Sequence, residues 1–182
     1  MARLRYLSEA DLAPEDRELL ARNMNLYRAL AHSPAGARSL RTPALYVRHH
    51  SKLDARLREL AILQVGFVAR APYEYAHHIE IGRSFGVTDD DLRAIAQETA
   101  GLPTDLPVLD RAVLRAAREL SAQPKLEDET FALLRAALDE ERIVDLVIAI
   151  ALYCGVVRVL GALEIDLEPD YARLLQDFPL PT

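Results

Sequence analysis

The chain has 182 residues, 51% of them hydrophobic and 27% charged, a globular composition with enough apolar material for one sizeable core. A formal net charge of -6 and a pI near 5.4 exclude a broad basic footprint for nucleic acid. Cys154 is the only cysteine, which excludes an internal disulfide, a cysteine-rich zinc site and an intramolecular dithiol cycle.

Met1 to Leu12 carries Glu9 and Asp11 and no apolar run, so it does not read as a signal peptide, and the expected compartment is the cytoplasm. Helical spacing dominates throughout, which predicts an all-α protein. Pro14, with Glu15 and Asp16, opens a first helix. Ser33-Pro34 reads as a cap and first turn for a second helix toward His50. Asp54 caps a third, from Ala55 to about Arg70, whose segment Leu60 to Ala69 is polar only at Gln64 and is therefore buried on most sides. Pro72 starts a helix that runs to Phe85 and stops at Gly86. Thr88 caps the next, and Gly101 to Pro107 forms a loop. Further helices are predicted from Asp110 to Ser121, Glu127 to Leu138, and Glu140 to about Leu160. Leu146 to Val157 is too short for a membrane span and fits a core helix. The proline-rich tail from Glu164 is expected to wrap the surface of a single domain covering residues 1–182.

A weak internal repeat is visible. Leu53-Asp54 leads into Arg56-x-x-Glu59-Leu60, and Leu138-Asp139 leads into Arg142-x-x-Asp145-Leu146. Either two similar long helices pack together in the core, or two amphipathic helices coincide by chance.

The polar residues between Glu59 and Glu80 stand out. Tyr75, His78, Ile79, Gly82 and Phe85 share one helix face, and Glu74 lies one turn before His78. Two carboxylates and an imidazole beside one apolar pocket would shift each other's pKa, as proton-transfer chemistry requires. Structural readings stand beside this one. Glu59 could pair with Arg56 or Arg158, His78 could be a satisfied core histidine, and Glu74 could be an exposed first-turn acid. His77 and Glu80 are expected toward solvent, and Tyr73 and Tyr75 in packing. Glu74-x-x-His77 has the spacing of a di-iron ligand pair but no second copy, so no metal and no cofactor is expected. Cys154, in the most apolar helix, reads as an inert small hydrophobe.

At Leu53-Asp54-x-Arg56-x-Arg58-Glu59-Leu60, Tyr73-Glu74-Tyr75-x-x-His78 and Gly86-Val87 the chain resembles the carboxymuconolactone decarboxylase family, which includes the alkylhydroperoxidase D-like proteins. The resemblance covers roughly residues 30–165. It implies a helical bundle with an internal repeat and a homo-oligomer (dimer, trimer or hexamer) whose interfaces border the pocket. In the peroxidase branch of that family a glutamate precedes a Cys-x-x-Cys pair and a histidine. Glu59 and His78 match the outer positions, while Ala71 and Glu74 stand where the cysteines would be. The resemblance therefore does not carry thiol peroxidase activity. It implies instead a lyase-like enzyme doing cofactor-independent acid/base chemistry on a small organic acid or lactone, by decarboxylation, isomerisation or hydration. His78 would be the acid or base, Glu59 would orient it or relay the proton, Glu74 would tune its pKa, and Tyr73 would donate a hydrogen bond to the substrate. Tyr75, Arg83, Tyr153 and Arg158 are further substrate-binding candidates. Neither nucleic acid nor membrane is an expected partner. The alternative is a non-catalytic oligomeric scaffold or small-ligand binder, favoured if Glu59 is tied up by an arginine. A peroxidase using Cys154 with an external thiol is a third reading.

Overall fold

The structure, a computed structural model, describes residues 2–181. Nine α-helices and no strand occur among the described residues: α1 (Asn25–Leu30), α2 (Pro34–His49), α3 (Ala55–Val68), α4 (Pro72–Ser84), α5 (Asp89–Thr99), α6 (Val108–Ala122), α7 (Asp128–Ala137), α8 (Glu140–Leu163) and α9 (Ala172–Asp177). The middle of the bundle is α3, packed against α4, α5, α6 and α8. Every residue from Leu57 to Phe67 is buried, as expected of a helix that is apolar almost all round. Leu60, Leu63, Ile79, Ile95, Leu114, Leu146 and Ile150 are fully enclosed and bring five helices into one core.

Local chemistry sets the helix starts. The Asp54 side chain accepts from Leu57 N at 3.0 Å, and Asp139 accepts from Arg142 N at 2.9 Å. The two repeat helices are thus capped alike, and α3 and α8 pack together. Thr88 and Asp91 form a reciprocal capping box. Ser33 holds the cap position of α2, but its side chain makes no capping bond. Gly86, at φ +90°, ends the α4 turn in a conformation that suits glycine.

Four expectations are corrected. Pro14–Leu20 is a 3-10 segment with only Leu19 buried, too little apolar face to hold a longer α-helix. The short α1 was not anticipated. Phe85 leaves the apolar face because α4 ends one residue earlier; it is 39% exposed and lies 4.8 Å beneath the Arg58 guanidinium. The tail does more than wrap the surface, because α9 packs on α4 and buries Leu174 and Phe178.

By length and composition α8 could cross a membrane, but half of its apolar window is buried in the fold. It also carries Asp145, which accepts from Tyr46 Oη, Ser51 Oγ and Lys52 N at 2.7, 2.9 and 2.6 Å. Those features fit a helix packed into the core of the fold.

Candidate active site

Helix α4 is pressed against α3 by a tight connection. Arg70 takes a left-handed conformation at φ +50°, Ala71 N donates to Gly66 O at 2.9 Å, and Pro72 begins the next helix. A side chain at Gly66 would come within 3.2 Å of the Tyr75 backbone nitrogen, so glycine permits the approach. The register this sets brings a carboxylate of α3 and an imidazole of α4 together.

His78 lies between two carboxylates. Its Nδ1 is 2.7 Å from Glu59 Oε2, and its Nε2 is 2.9 Å from Glu74 Oε1, one turn back on its own helix. All three residues are buried. Arg58 Nε donates to the other Glu59 oxygen at 2.9 Å. Its Nη2 is equally close to that oxygen but makes no hydrogen bond. Burial alone would depress the imidazole pKa; the charges and hydrogen bonds of Glu59 and Glu74 outweigh it and raise His78 to about 9. Burial would raise Glu59, but His78 and Arg58 hold its carboxyl below the usual range. At neutral pH the His78 imidazole is therefore protonated, beside an ionised Glu59 with a guanidinium behind it. Both histidine N–H groups donate inward.

A cavity of about 110 Å³ opens on one end of this row. Glu74, His77, His78 and Tyr153 form its polar floor, and Leu26, Leu30, Leu40 and Val156 are among its apolar walls. Glu59 does not line it, so Glu74 is the carboxylate of the row that borders the cavity. The Tyr153 ring stands edge-on to His78 at 5.0 Å. Burial, then the charges of Glu74 and Glu59, push its phenol well up, and its hydroxyl has no hydrogen-bond partner among the described residues. Arg22, Arg41 and Arg48 line the cavity, and none of them forms an ion pair among the described residues.

Other predicted site residues lie elsewhere or are committed. Tyr73 lines the cavity, but its hydroxyl accepts from Leu26 N at 3.2 Å and donates to Glu168 at 3.1 Å, so it is not free for a substrate. Tyr75 is buried against Phe67, away from the cavity. Arg83 is paired with Asp89, and exposed Arg158 donates to the Cys154 carbonyl of its own helix. Neither reaches the cavity. Glu59 pairs with neither Arg56 nor Arg158; Arg56 binds Asp91 and Asp110 instead.

His77 is the largest correction, being buried rather than solvent-facing. Its Nε2 is 2.7 Å from Glu168 Oε2, and its ring stacks between Tyr73 and Tyr171. The Glu74-x-x-His77 spacing consequently makes no metal pair, since the two side chains take different partners. Among the described residues no group of three or more His, Cys, Asp or Glu side chains could hold an ion. Cys154 is half-buried rather than enclosed, 3.5 Å from Ser121 Oγ in a separate groove. Sequence reasoning missed Arg41, Arg48 and Glu168. The arginines' only local signal was a position on the α2 face that also carries Leu45, and Glu168 gave none.

Comparison with known proteins agrees with this architecture. Residues 34–123 match the carboxymuconolactone decarboxylase family. No curated protein matches the chain. An uncharacterised peroxidase-related protein from Ralstonia eutropha JMP134, described as an alkylhydroperoxidase AhpD core, aligns over 99% of this chain and 98% of its own at 18% identity and a TM-score of 0.79. The debrominase Bmp8, solved as a cysteine-to-alanine variant with 2,3,4-tribromopyrrole, aligns over 98% of this chain and 100% of its own at 18% identity and a TM-score of 0.81. A protein of unknown function from Agrobacterium tumefaciens covers 76% of this chain and 94% of its own at 20% identity and a TM-score of 0.66. At these identities the likeness establishes a shared helical fold.

Proposed function

The chain belongs to the carboxymuconolactone decarboxylase/AhpD-like superfamily, and from that premise we propose that it is a cofactor-independent enzyme that moves a proton on a small organic acid or lactone acid, with Glu74 as the group that touches the substrate. The observation that carries this reading is the buried Glu59–His78–Glu74 row ending at an apolar cavity. Glu74 occupies a position where the peroxidase branch carries a cysteine, so the same relay serves a carboxylate rather than a thiolate.

The roles follow from the geometry. An imidazolium with both N–H groups donated to carboxylates is not a base at neutral pH; it is a proton store behind Glu74. Glu74 takes a proton from the substrate and returns that proton at the product atom, so it ends as the carboxylate it began as; where the proton escapes to water, His78 supplies its replacement and is reprotonated from solvent. Glu59, held by Arg58, keeps the imidazole charged. Arg41 and Arg48 bind the substrate carboxylate, and Tyr153 rather than Tyr73 offers the free hydroxyl. The apolar walls exclude water and select a compact hydrocarbon body.

The test is turnover of a panel of unsaturated lactone acids and 3-oxo acids in D2O, followed by proton NMR. Glu74→Gln should lower turnover about 100-fold or more. The rate should fall as pH rises through about 9, and Glu59→Gln should move that limb downward. Full turnover in Glu74→Gln would sink the assignment. The scaffold or small-ligand reading is favoured by one observation, that Arg58 closes the ion cluster. It predicts carboxylate binding, lost in Arg41→Ala with Arg48→Ala, and no turnover across the panel.

A further inference from the structure

Helix α8 is the shared wall of two spaces. Tyr153 and Val156 border the cavity beside His78, while Cys154, Val157 and Arg158 border a groove formed with α3 and α6. The groove holds about 500 Å³ and shares no lining residue with the cavity. Val65, Val68 and Val157 form its apolar side, and Arg118, Ser121, Cys154 and Arg158 supply its polar atoms. Among the described residues no carboxylate lines it, although the chain as a whole carries a net charge of -6.

Both guanidiniums of the groove are short of partners. The Arg118 side chain is only 22% exposed, and the Glu98 carboxylate stands off at 3.8 Å from its Nη2. Among the described residues its one hydrogen bond runs from Nη1 to the neutral Gln64 Oε1 at 3.0 Å. Its Nε and Nη2 make none, yet they are not sealed in the core. Burial pulls this guanidinium below the usual arginine range, and Glu98 offsets that only in part. Arg158 is exposed, donates to the Cys154 carbonyl of its own helix and has no carboxylate partner among the described residues. A half-buried cation without a matched anion costs free energy, which a bound carboxylate would recover.

We infer that this groove is a second ligand site, taking an amphiphilic carboxylate with one anionic head on an apolar body. Arg118 and Arg158 meet the head, and the valines cover the body. The volume is that of a small-molecule site. Ser121 donates its hydroxyl to the Ala117 carbonyl at 2.7 Å, so the guanidiniums carry the recognition. The site stands apart from the chemistry proposed for the cavity.

Cys154 reports occupancy, because it lies in the groove and is the chain's only cysteine. Its alkylation by iodoacetamide is timed at constant ionic strength against rising sodium octanoate, with octan-1-ol and sodium sulfate as the neutral and inorganic controls. Octanoate should slow alkylation several-fold and saturably, and neither control should do so at the same concentration. Arg158→Gln, at an exposed position, and Arg118→Gln, checked for folding by circular dichroism, should each raise the half-protecting concentration about 10-fold. Protection should persist in Arg41→Ala combined with Arg48→Ala, which separates this groove from carboxylate binding at the cavity. Equal protection by octan-1-ol or by sulfate, undiminished octanoate protection in Arg158→Gln, or its loss in the Arg41 and Arg48 double variant would overturn the inference.

Discussion

Glu59 on α3 and Asp145 on α8 are reached through similar local sequence: an aspartate cap, an arginine, then a buried carboxylate. Their surroundings differ. Asp145 meets three neutral donors, Tyr46 Oη, Ser51 Oγ and Lys52 N, which pin the chain between α2 and α3 and leave the carboxylate nothing to exchange. Glu59 meets Arg58 and a titratable imidazole that continues to Glu74 and the cavity. A buried carboxylate satisfied by fixed dipoles is a structural clamp. One satisfied by a group that can gain or lose a proton is suited to the relay proposed above.

Three measurements sharpen or break that contrast. Glu59→Gln should cost about 3 kcal/mol at pH 6, because Arg58 and a protonated His78 lose their anion. The sign of its pH dependence is fixed by His78. The folded pKa of about 9 lies above the unfolded 6.5, so the stabilisation is complete below 6.5 and disappears as pH rises through 9. Urea titrations at pH 6 and pH 10 should show a smaller difference between wild type and variant at the higher pH, and NMR should place the His78 titration at least one unit lower in the variant. Asp145→Ala should cost about 2 kcal/mol by stranding donors at the α2–α3 connection, equally at pH 6 and pH 10, with the His78 titration unmoved. A pH-dependent loss there would erase the distinction between the two carboxylates. Ser51→Ala removes one of the Asp145 donors, and urea unfolding should register a loss of about 1 kcal/mol.

The two histidines of α4 show how far local reading goes. His78 was legible because its partners are near in sequence: Glu74 one turn away, and Glu59 on the preceding helix, which a short connection forces to be a neighbour. His77 was misread because its partner, Glu168, is 91 residues distant in the tail. Adjacent helical residues diverge, so with one histidine turned to the core the other was assigned to solvent. The second buried face exists only because Glu168 and Tyr171 cover it. The cavity arginines were hidden in the same way, since Arg41 and Arg48 become pocket residues only when α2 is packed on α8 and α1.

By itself the sequence determined the helical class, most helix limits, the capping of α3 and α5, the single cysteine and the placement of Glu74 one turn before His78. Those properties depend on period, propensity and contacts within one connection of the chain. Tertiary structure alone decided which end of the relay meets a cavity, which tyrosine keeps a free hydroxyl, which arginines stay unpaired and which face of α8 is left uncovered. Each of those depends on what distant segments occlude, and a side chain's own position carries no record of what will be folded over it.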